Sequence, residues 1–180
     1  SATLFKIGDQ TIHKTAQTKY KGAEAEVNIY YANYFYYTRN IDRAKFYFDK
    51  AKLKAQTFSN KHIETLANIR LIFIDYELGI NEGAEQDFLN LLLETKQTKD
   101  FENHAELLNL LGIIKESKNE LQAAAELYIE GLAFSESLGL PHYPSVFRNN
   151  LGLIKLYSNQ PDDALIDFEK GLESAKKEND

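Results

Sequence analysis

Residues 107–132 read LLNLLGIIKESKNELQAAAELYIEGL and contain the pattern on which the rest of the chain is built. Apolar residues follow helical spacing on both sides of a polar break at residues 117–119, which predicts two helices joined by a short turn. Gly112 and Ala124 place a small residue on each helix, and the ring of Tyr128 follows four positions later. Small residues allow two helix backbones to approach closely, and a ring fills the space beside them. The stretch therefore predicts a helical hairpin.

The key positions of this hairpin recur every 40 residues, and each set of equivalent positions is called a column. Small residues of the second helix stand at Ala44, Ala84, Ala124 and Ala164, and a ring follows each after four positions, at Phe48, Phe88, Tyr128 and Phe168. Twelve positions before each alanine lies a small or apolar residue of the first helix, at Ala32, Ile72, Gly112 and Gly152. A period between about 20 and 50 residues is typical of proteins built from stacked repeats. The sequence predicts four hairpins, repeats one to four, at approximately 23–60, 61–100, 101–140 and 141–180.

The predicted organisation is a single array over residues 1–180, in which residues 1–22 contain a helix of a preceding partial repeat. Neighbouring hairpins of such an array bury their apolar faces against each other, so no closure around one centre is needed. Leu165, Ile166 and Leu172 have no following helix in the sequence to cover them. We therefore expect further chain beyond one or both ends.

The columns resemble those of the tetratricopeptide repeat, in a longer variety of about 40 residues. The resemblance is good in repeat four, around Leu151 and Gly152, and weak in repeat two, where Ile72 replaces the small residue and Asp75 the usual tyrosine. It implies an all-α fold, a right-handed superhelical solenoid of stacked antiparallel helix pairs. In this family the first helices of successive hairpins line a concave groove.

The resemblance assigns residues from the first helix of every repeat to this groove. They are Ile29, Asn33, Tyr36, Tyr37, Ile69, Arg70, Phe73, Tyr76, Asn109, Ile113, Asn149, Asn150 and Leu153. An asparagine amide both donates and accepts, so it can hold the backbone of an extended peptide, while aromatic and arginine side chains supply anchoring energy. Asn33, Asn149 and Asn150 could equally bond neighbouring helices. Capture of a C-terminal carboxylate is disfavoured, because Ile29 stands where the carboxylate clamp of the family has a lysine.

Composition limits the class of partner. The chain is 43% hydrophobic and 27% charged, which is typical of a folded helical protein rather than a disordered one. Residues 1–60 carry ten basic and five acidic side chains, whereas residues 61–180 carry eleven and twenty-two. A net charge of −6 repels phosphates, so we expect no nucleic-acid binding. No apolar run reaches the roughly 18 residues of a membrane span. The sequence does not identify the cellular compartment of the protein, and the cytoplasm is favoured.

Catalytic and metal-binding motifs are missing from the sequence. It contains no cysteine, which excludes disulfides, thiolate nucleophiles and thiolate ligands. The four histidines lie in different parts of the chain and lack the spacing of a zinc site. The glycines at Gly79 and Gly83 are not followed by the lysine and hydroxyl residue of a phosphate-binding loop. We expect no enzymatic activity, cofactor or metal.

The sequence favours a non-catalytic scaffold whose groove binds a peptide or protein segment. One alternative is the ligand-sensing part of a larger regulator, because repeats of this length are similar to those of bacterial peptide-pheromone receptors, sensor kinases and transcription activators. Another alternative is self-association into a homo-oligomer, driven by exposed terminal helices and the unequal charge of the two ends.

Overall fold

The computed structural model describes residues 2–16 and 22–177, and within these ranges every regular element is a helix. The helices are α1 Ala2–Ala16, α2 Ala23–Tyr37, α3 Ile41–Thr57, α4 Lys61–Glu77, α5 Ala84–Thr98, α6 Phe101–Ser117, α7 Leu121–Leu138, α8 Tyr143–Tyr157 and α9 Pro161–Lys177. None of the described helices is both long and apolar enough to span a bilayer. The predicted helix in residues 1–22 corresponds to α1. Residues 17–21, and residues 178–180 of repeat four, lie outside the described residues.

Contacts divide the chain into two compact units, Ser1–Ala84 and Glu85–Asp180. In unit 1, α1 packs against α2, α2 against α3, and α3 against α4. In unit 2, α6 packs against α7, α7 against α8, and α8 against α9. Each unit is therefore a stack of helices that contact their neighbours in sequence, as a repeat architecture requires.

The turns share one backbone conformation. One residue at the end of each helix from α2 to α8 has φ between +56° and +69°, in the left-handed region; these are Arg39, Ser59, Gly79, Lys99, Asn119, Gly139 and Asn159. The residue after each of them donates its backbone N–H to the carbonyl five positions earlier, at 2.8 to 3.0 Å. This is the Schellman arrangement, which satisfies the free carbonyls at a helix end. It recurs every 20 residues, so the 40-residue period of the side chains is also a period of the backbone.

Two asparagines both close one helix and open the next. The backbone N–H of Asn40 bonds to the carbonyl of Phe35, and its side-chain Oδ1 accepts from the N–H of Arg43 at 3.3 Å. The side chain of Asn60 accepts in the same way from Ile63 at 3.2 Å. Asparagine is among the best residues for capping a helix N-terminus. Such short connections force successive helices to run antiparallel.

Glycines in unit 2 hold rings against helix backbones. A Cβ atom at Gly112 would lie 2.2 Å from the ring of Tyr128, and one at Gly152 would lie 2.5 Å from the ring of Phe168. The close approach predicted from the small and aromatic columns is therefore confirmed in repeats three and four. Tyr128 itself is fully buried.

Helix α5 departs from the repeat pattern. Helices α3, α7 and α9 begin three residues before their column alanine, whereas α5 begins at the alanine itself, Ala84. The preceding residues form a turn in which the Asn81 side chain accepts a hydrogen bond from the N–H of Gly83 at 2.9 Å. The boundary between the two units falls at this same point.

Candidate functional site

The predicted groove residues of unit 1 lie on α2 and α4 and form a surface named the α2–α4 face. Tyr37 is 76% exposed. Four others are partly buried, namely Asn33, Tyr36, Arg70 and Tyr76. The remaining three are buried, namely Ile29, Ile69 and Phe73. The face therefore presents polar and aromatic groups on an apolar support.

Local contacts hold the aromatic side chains of this face. The hydroxyl of Tyr36 donates to Oε2 of Glu77 at 2.7 Å, which ties α2 to α4. Burial, together with this hydrogen bond, raises the pKa of Tyr36 well above its usual range, so the hydroxyl stays protonated and remains a donor. The rings of Phe73 and Tyr76 stack at a centroid distance of 6.3 Å.

Unit 2 contains a cavity of about 530 Å³ between α6, the start of α7, and α8. We name it the α6–α8 cavity. It is lined by Ile113, Glu116, Ser117, Asn119, Leu121, Asn150, Leu153 and Tyr157. A smaller cavity of about 190 Å³ lies between α1 and α2 in unit 1. The α6–α8 cavity is the larger and combines apolar walls with amide, hydroxyl and carboxylate groups, a composition typical of binding sites.

Three of the five predicted groove residues of unit 2 line this cavity: Ile113, Asn150 and Leu153. Asn109 is buried behind them, and its Oδ1 accepts a hydrogen bond from Nδ2 of Asn150 at 2.8 Å. The alternative role, bonding a neighbouring helix, is thus confirmed for Asn150, which still contributes to the cavity wall. Asn149 is exposed outside it.

Glu116 and Tyr157, which are absent from the predicted groove residues, also line the cavity. Both occupy columns that were already assigned to the groove in repeat one, since Glu116 is the counterpart of Tyr36 and Tyr157 the counterpart of Tyr37. The 40-residue spacing alone was therefore a sufficient signal. At Glu116 the aromatic character of the column is lost, whereas Tyr157 keeps it.

The carboxylate of Glu116 has a defined orientation. Its Oε2 accepts a hydrogen bond from the hydroxyl of Tyr128 at 3.1 Å. Burial raises the pKa of Tyr128 above its usual range, and the charge of Glu116 and the hydrogen bond to it act in the same direction. The phenol therefore remains a donor, and the carboxylate is held at the cavity wall. Over the described ranges, no three His, Asp or Glu side chains are grouped as metal ligands.

No protein-family model matches the sequence, and no curated protein is similar to it in sequence. Solved structures do match. BtubC (BKLC) from P. vanneervenii superimposes with a TM-score of 0.61 and 15% identity, over 97% of this chain and 72% of that one. The apo form of RapI superimposes with a TM-score of 0.61 and 19% identity, over 97% of this chain and 64% of that one. Both neighbours are helical-repeat proteins, and the likeness shows that this chain has an all-α, tetratricopeptide-like helical-repeat fold.

Proposed function

We propose that this chain is a non-catalytic scaffold that binds an extended peptide segment of a partner protein. The α6–α8 cavity is the principal contact site in this proposal. The single observation that carries it is the cavity itself, where Ile113 and Leu153 supply apolar walls beside the amide of Asn150. Apolar walls take a side chain of the peptide, and an amide takes its backbone.

Preorganisation supports the proposal. The hydrogen bond between Asn150 and Asn109 fixes the amide at 2.8 Å before any ligand arrives. The Schellman turns that end α6 and α7 leave short connections between the helices that form the cavity. A rigid site loses little conformational entropy on binding, so most of the ordering cost falls on the peptide.

Substitution at the cavity wall tests this function. The probe is a position-scanning library of blocked hexapeptides, followed by fluorescence anisotropy with the best binder. We expect Leu153→Ser to weaken binding by about tenfold, because an apolar contact that anchors a peptide is typically worth more than 1 kcal/mol. Leu93→Ser is the matched control, since Leu93 is 64% exposed on α5 and does not line the cavity. Equal binding by both variants would reject the site, provided that circular dichroism shows both to be folded.

Self-association is a second candidate function, favoured by the apolar surface of α9. Leu165, Ile166 and Leu172 are 56%, 46% and 57% exposed. Sedimentation velocity at two salt concentrations tests it. A dimer that dissociates in the Leu165→Ser/Leu172→Ser variant supports self-association, and a monomer at all accessible concentrations excludes it.

A further inference from the structure

Glu116 is an acidic group on a cavity wall that contains no basic one. Among the described residues lining the α6–α8 cavity, none is lysine, arginine or histidine. The two lysines nearest in sequence are engaged with Glu85, Lys115 at 2.7 Å and Lys118 at 2.6 Å. Lys155 of α8 is paired with Asp167 at 2.7 Å. The cation that would complement Glu116 is therefore not supplied by these neighbouring side chains.

Gly112 and Tyr128 explain how the carboxylate is positioned. The absence of a Cβ at Gly112 lets the Tyr128 ring lie on the backbone of α6. Glu116 follows Gly112 by one helical turn and so lies on the same side of the helix. The phenol hydroxyl therefore reaches Oε2 of Glu116, at 3.1 Å.

The hydroxyl of Tyr128 is not needed for packing. The same column holds phenylalanine in the other three repeats, at Phe48, Phe88 and Phe168. Phe48 and Phe88 are 1% and 0% exposed, so a ring without a hydroxyl fills this position fully. The tyrosine of repeat three thus adds a hydrogen bond where an apolar ring would suffice. The acceptor of this hydrogen bond is Glu116, on the wall of the α6–α8 cavity.

The rest of the cavity also suits a cation. Tyr157 lines it from α8 and is 60% exposed, so its aromatic side chain is available to a guanidinium or ammonium group. Asn150 adds an amide oxygen that can accept from a donor. Residues 85–180 carry eighteen acidic and nine basic side chains, which attracts a positively charged segment to unit 2 as a whole.

We propose that the α6–α8 cavity binds a basic side chain, arginine or lysine, of the extended peptide segment. Glu116 is its counter-ion, Tyr157 its aromatic neighbour, and Tyr128 the positioning residue that orients Glu116. This inference rests on the proposed function and names the chemistry of its partner.

The test uses two small probes of nearly the same shape, N-acetyl-L-arginine methylamide and its neutral isostere N-acetyl-L-citrulline methylamide, in which a carbonyl oxygen replaces one guanidinium nitrogen. Binding is followed by chemical-shift titration of the backbone amides of Asn150 and Tyr157. We expect the wild-type protein to prefer the arginine probe by about three- to fivefold at low salt, which is the range of a partly exposed ion pair with an aromatic contact. The preference should shrink at high salt.

Three variants assign the preference to its residues. Glu116→Gln should abolish it, and Tyr128→Phe should reduce it by about twofold while the citrulline probe binds as before, which a merely structural role would not produce. Glu169→Gln is the matched control, because Glu169 is an exposed carboxylate on α9, away from the cavity. Equal binding of the two probes to the wild type, or a preference that survives Glu116→Gln, would overturn the inference.

The hexapeptide library separates this inference from the proposed function. Library binding that depends on Leu153 but shows no preference for arginine or lysine keeps the peptide site and rejects the cation site. An arginine preference that depends on Glu116, without library binding, keeps the cation site and rejects the peptide scaffold.

Discussion

Repeats three and four place two different rings in the same structural position. Tyr128 lies against Gly112 and Phe168 lies against Gly152, with hypothetical Cβ distances of 2.2 and 2.5 Å. Both rings thus lie against the glycine of the first helix, although Tyr128 is fully buried and Phe168 partly buried. The chemical difference between them is the hydroxyl. In repeat three it reaches Glu116 at 3.1 Å.

The corresponding position in repeat four has no acceptor. The counterpart of Glu116 there is Leu156, which is 48% exposed. A phenylalanine is therefore the better ring in repeat four, since an added hydroxyl would gain no carboxylate partner. The ring therefore supplies packing that recurs in each repeat, whereas the hydroxyl supplies a feature specific to repeat three.

Substitution of a glycine that packs against a ring should destabilise the protein more than any other change considered. Gly112→Ala should lower the free energy of unfolding by about 1–3 kcal/mol, because the new Cβ would overlap the Tyr128 ring. Gly171→Ala is the control: its Cβ would meet only ordinary contacts at 3.4 Å, so the better helix propensity of alanine should stabilise by up to about 1 kcal/mol. Urea unfolding followed by circular dichroism measures both. Equal effects of the two substitutions would show that Gly112 is not at a close contact.

Exchange of the residue types at Tyr128 and Phe168 tests the contribution of the tyrosine hydroxyl. Tyr128→Phe should cost about 0.5–1.5 kcal/mol in urea unfolding, the usual worth of a hydrogen bond. Phe168→Tyr should gain nothing on its own. The double variant Phe168→Tyr/Leu156→Glu should recover stability relative to Phe168→Tyr, because it recreates the acceptor. An unchanged stability of Tyr128→Phe would mean that the bond to Glu116 contributes nothing in solution.

The sequence predicted the hairpins because their packing depends on columns that are visible in it. A glycine and a ring sixteen residues apart, as at Gly112 and Tyr128, make contact through a local hairpin geometry that the spacing determines. The left-handed residues were only partly predictable. Gly79 and Asn119 are residue types that favour the left-handed conformation, whereas the turn imposes that conformation on Arg39.

The candidate site was harder to predict, because its features depend on contacts between helices. The spacing identified the columns of Ile113 and Leu153, but nothing in the sequence states that Tyr128 donates to Glu116 rather than to water. The hydrogen bond that the Asn81 side chain accepts from the backbone N–H of Gly83, in the turn before α5, was also not predicted.

A pH-dependent difference between the two repeats is expected at His104, whose counterpart in repeat four is Pro144. His104 is 6% exposed, and its Nδ1 lies 3.0 Å from the hydroxyl of Thr95. Burial lowers its pKa; Lys96 acts in the same direction, and Glu130 and a backbone hydrogen bond oppose it.

The sign follows from which state takes up the proton. The unfolded chain protonates this histidine near its usual pKa of about 6.5, and the folded chain only at lower pH. The contribution of neutral His104 to the free energy of unfolding is therefore complete above about pH 6.5 and is lost as the pH falls below that value. His104→Gln should remove this component, measured as the difference between variant and wild type in urea unfolding at pH 5 and pH 7.5. A variant with the same pH dependence as the wild type would contradict it.

The smallest expected effect concerns the turns, where the two repeats should not differ at all. Asn119 and Asn159 have φ of +59° and +58°, and the next residue of each closes the same backbone hydrogen bond at 2.9 Å. Replacement by glycine relieves the strain of the left-handed conformation but increases the entropy of the unfolded chain, and the two changes nearly cancel. Asn119→Gly and Asn159→Gly should each change the free energy of unfolding by less than about 0.5 kcal/mol, and by the same amount. Urea unfolding followed by circular dichroism measures both variants. Since the turn geometry is common to both repeats, a loss of stability confined to Asn119→Gly would show that the Asn119 side chain makes a stabilising contact at the α6–α8 cavity that the turn itself does not require.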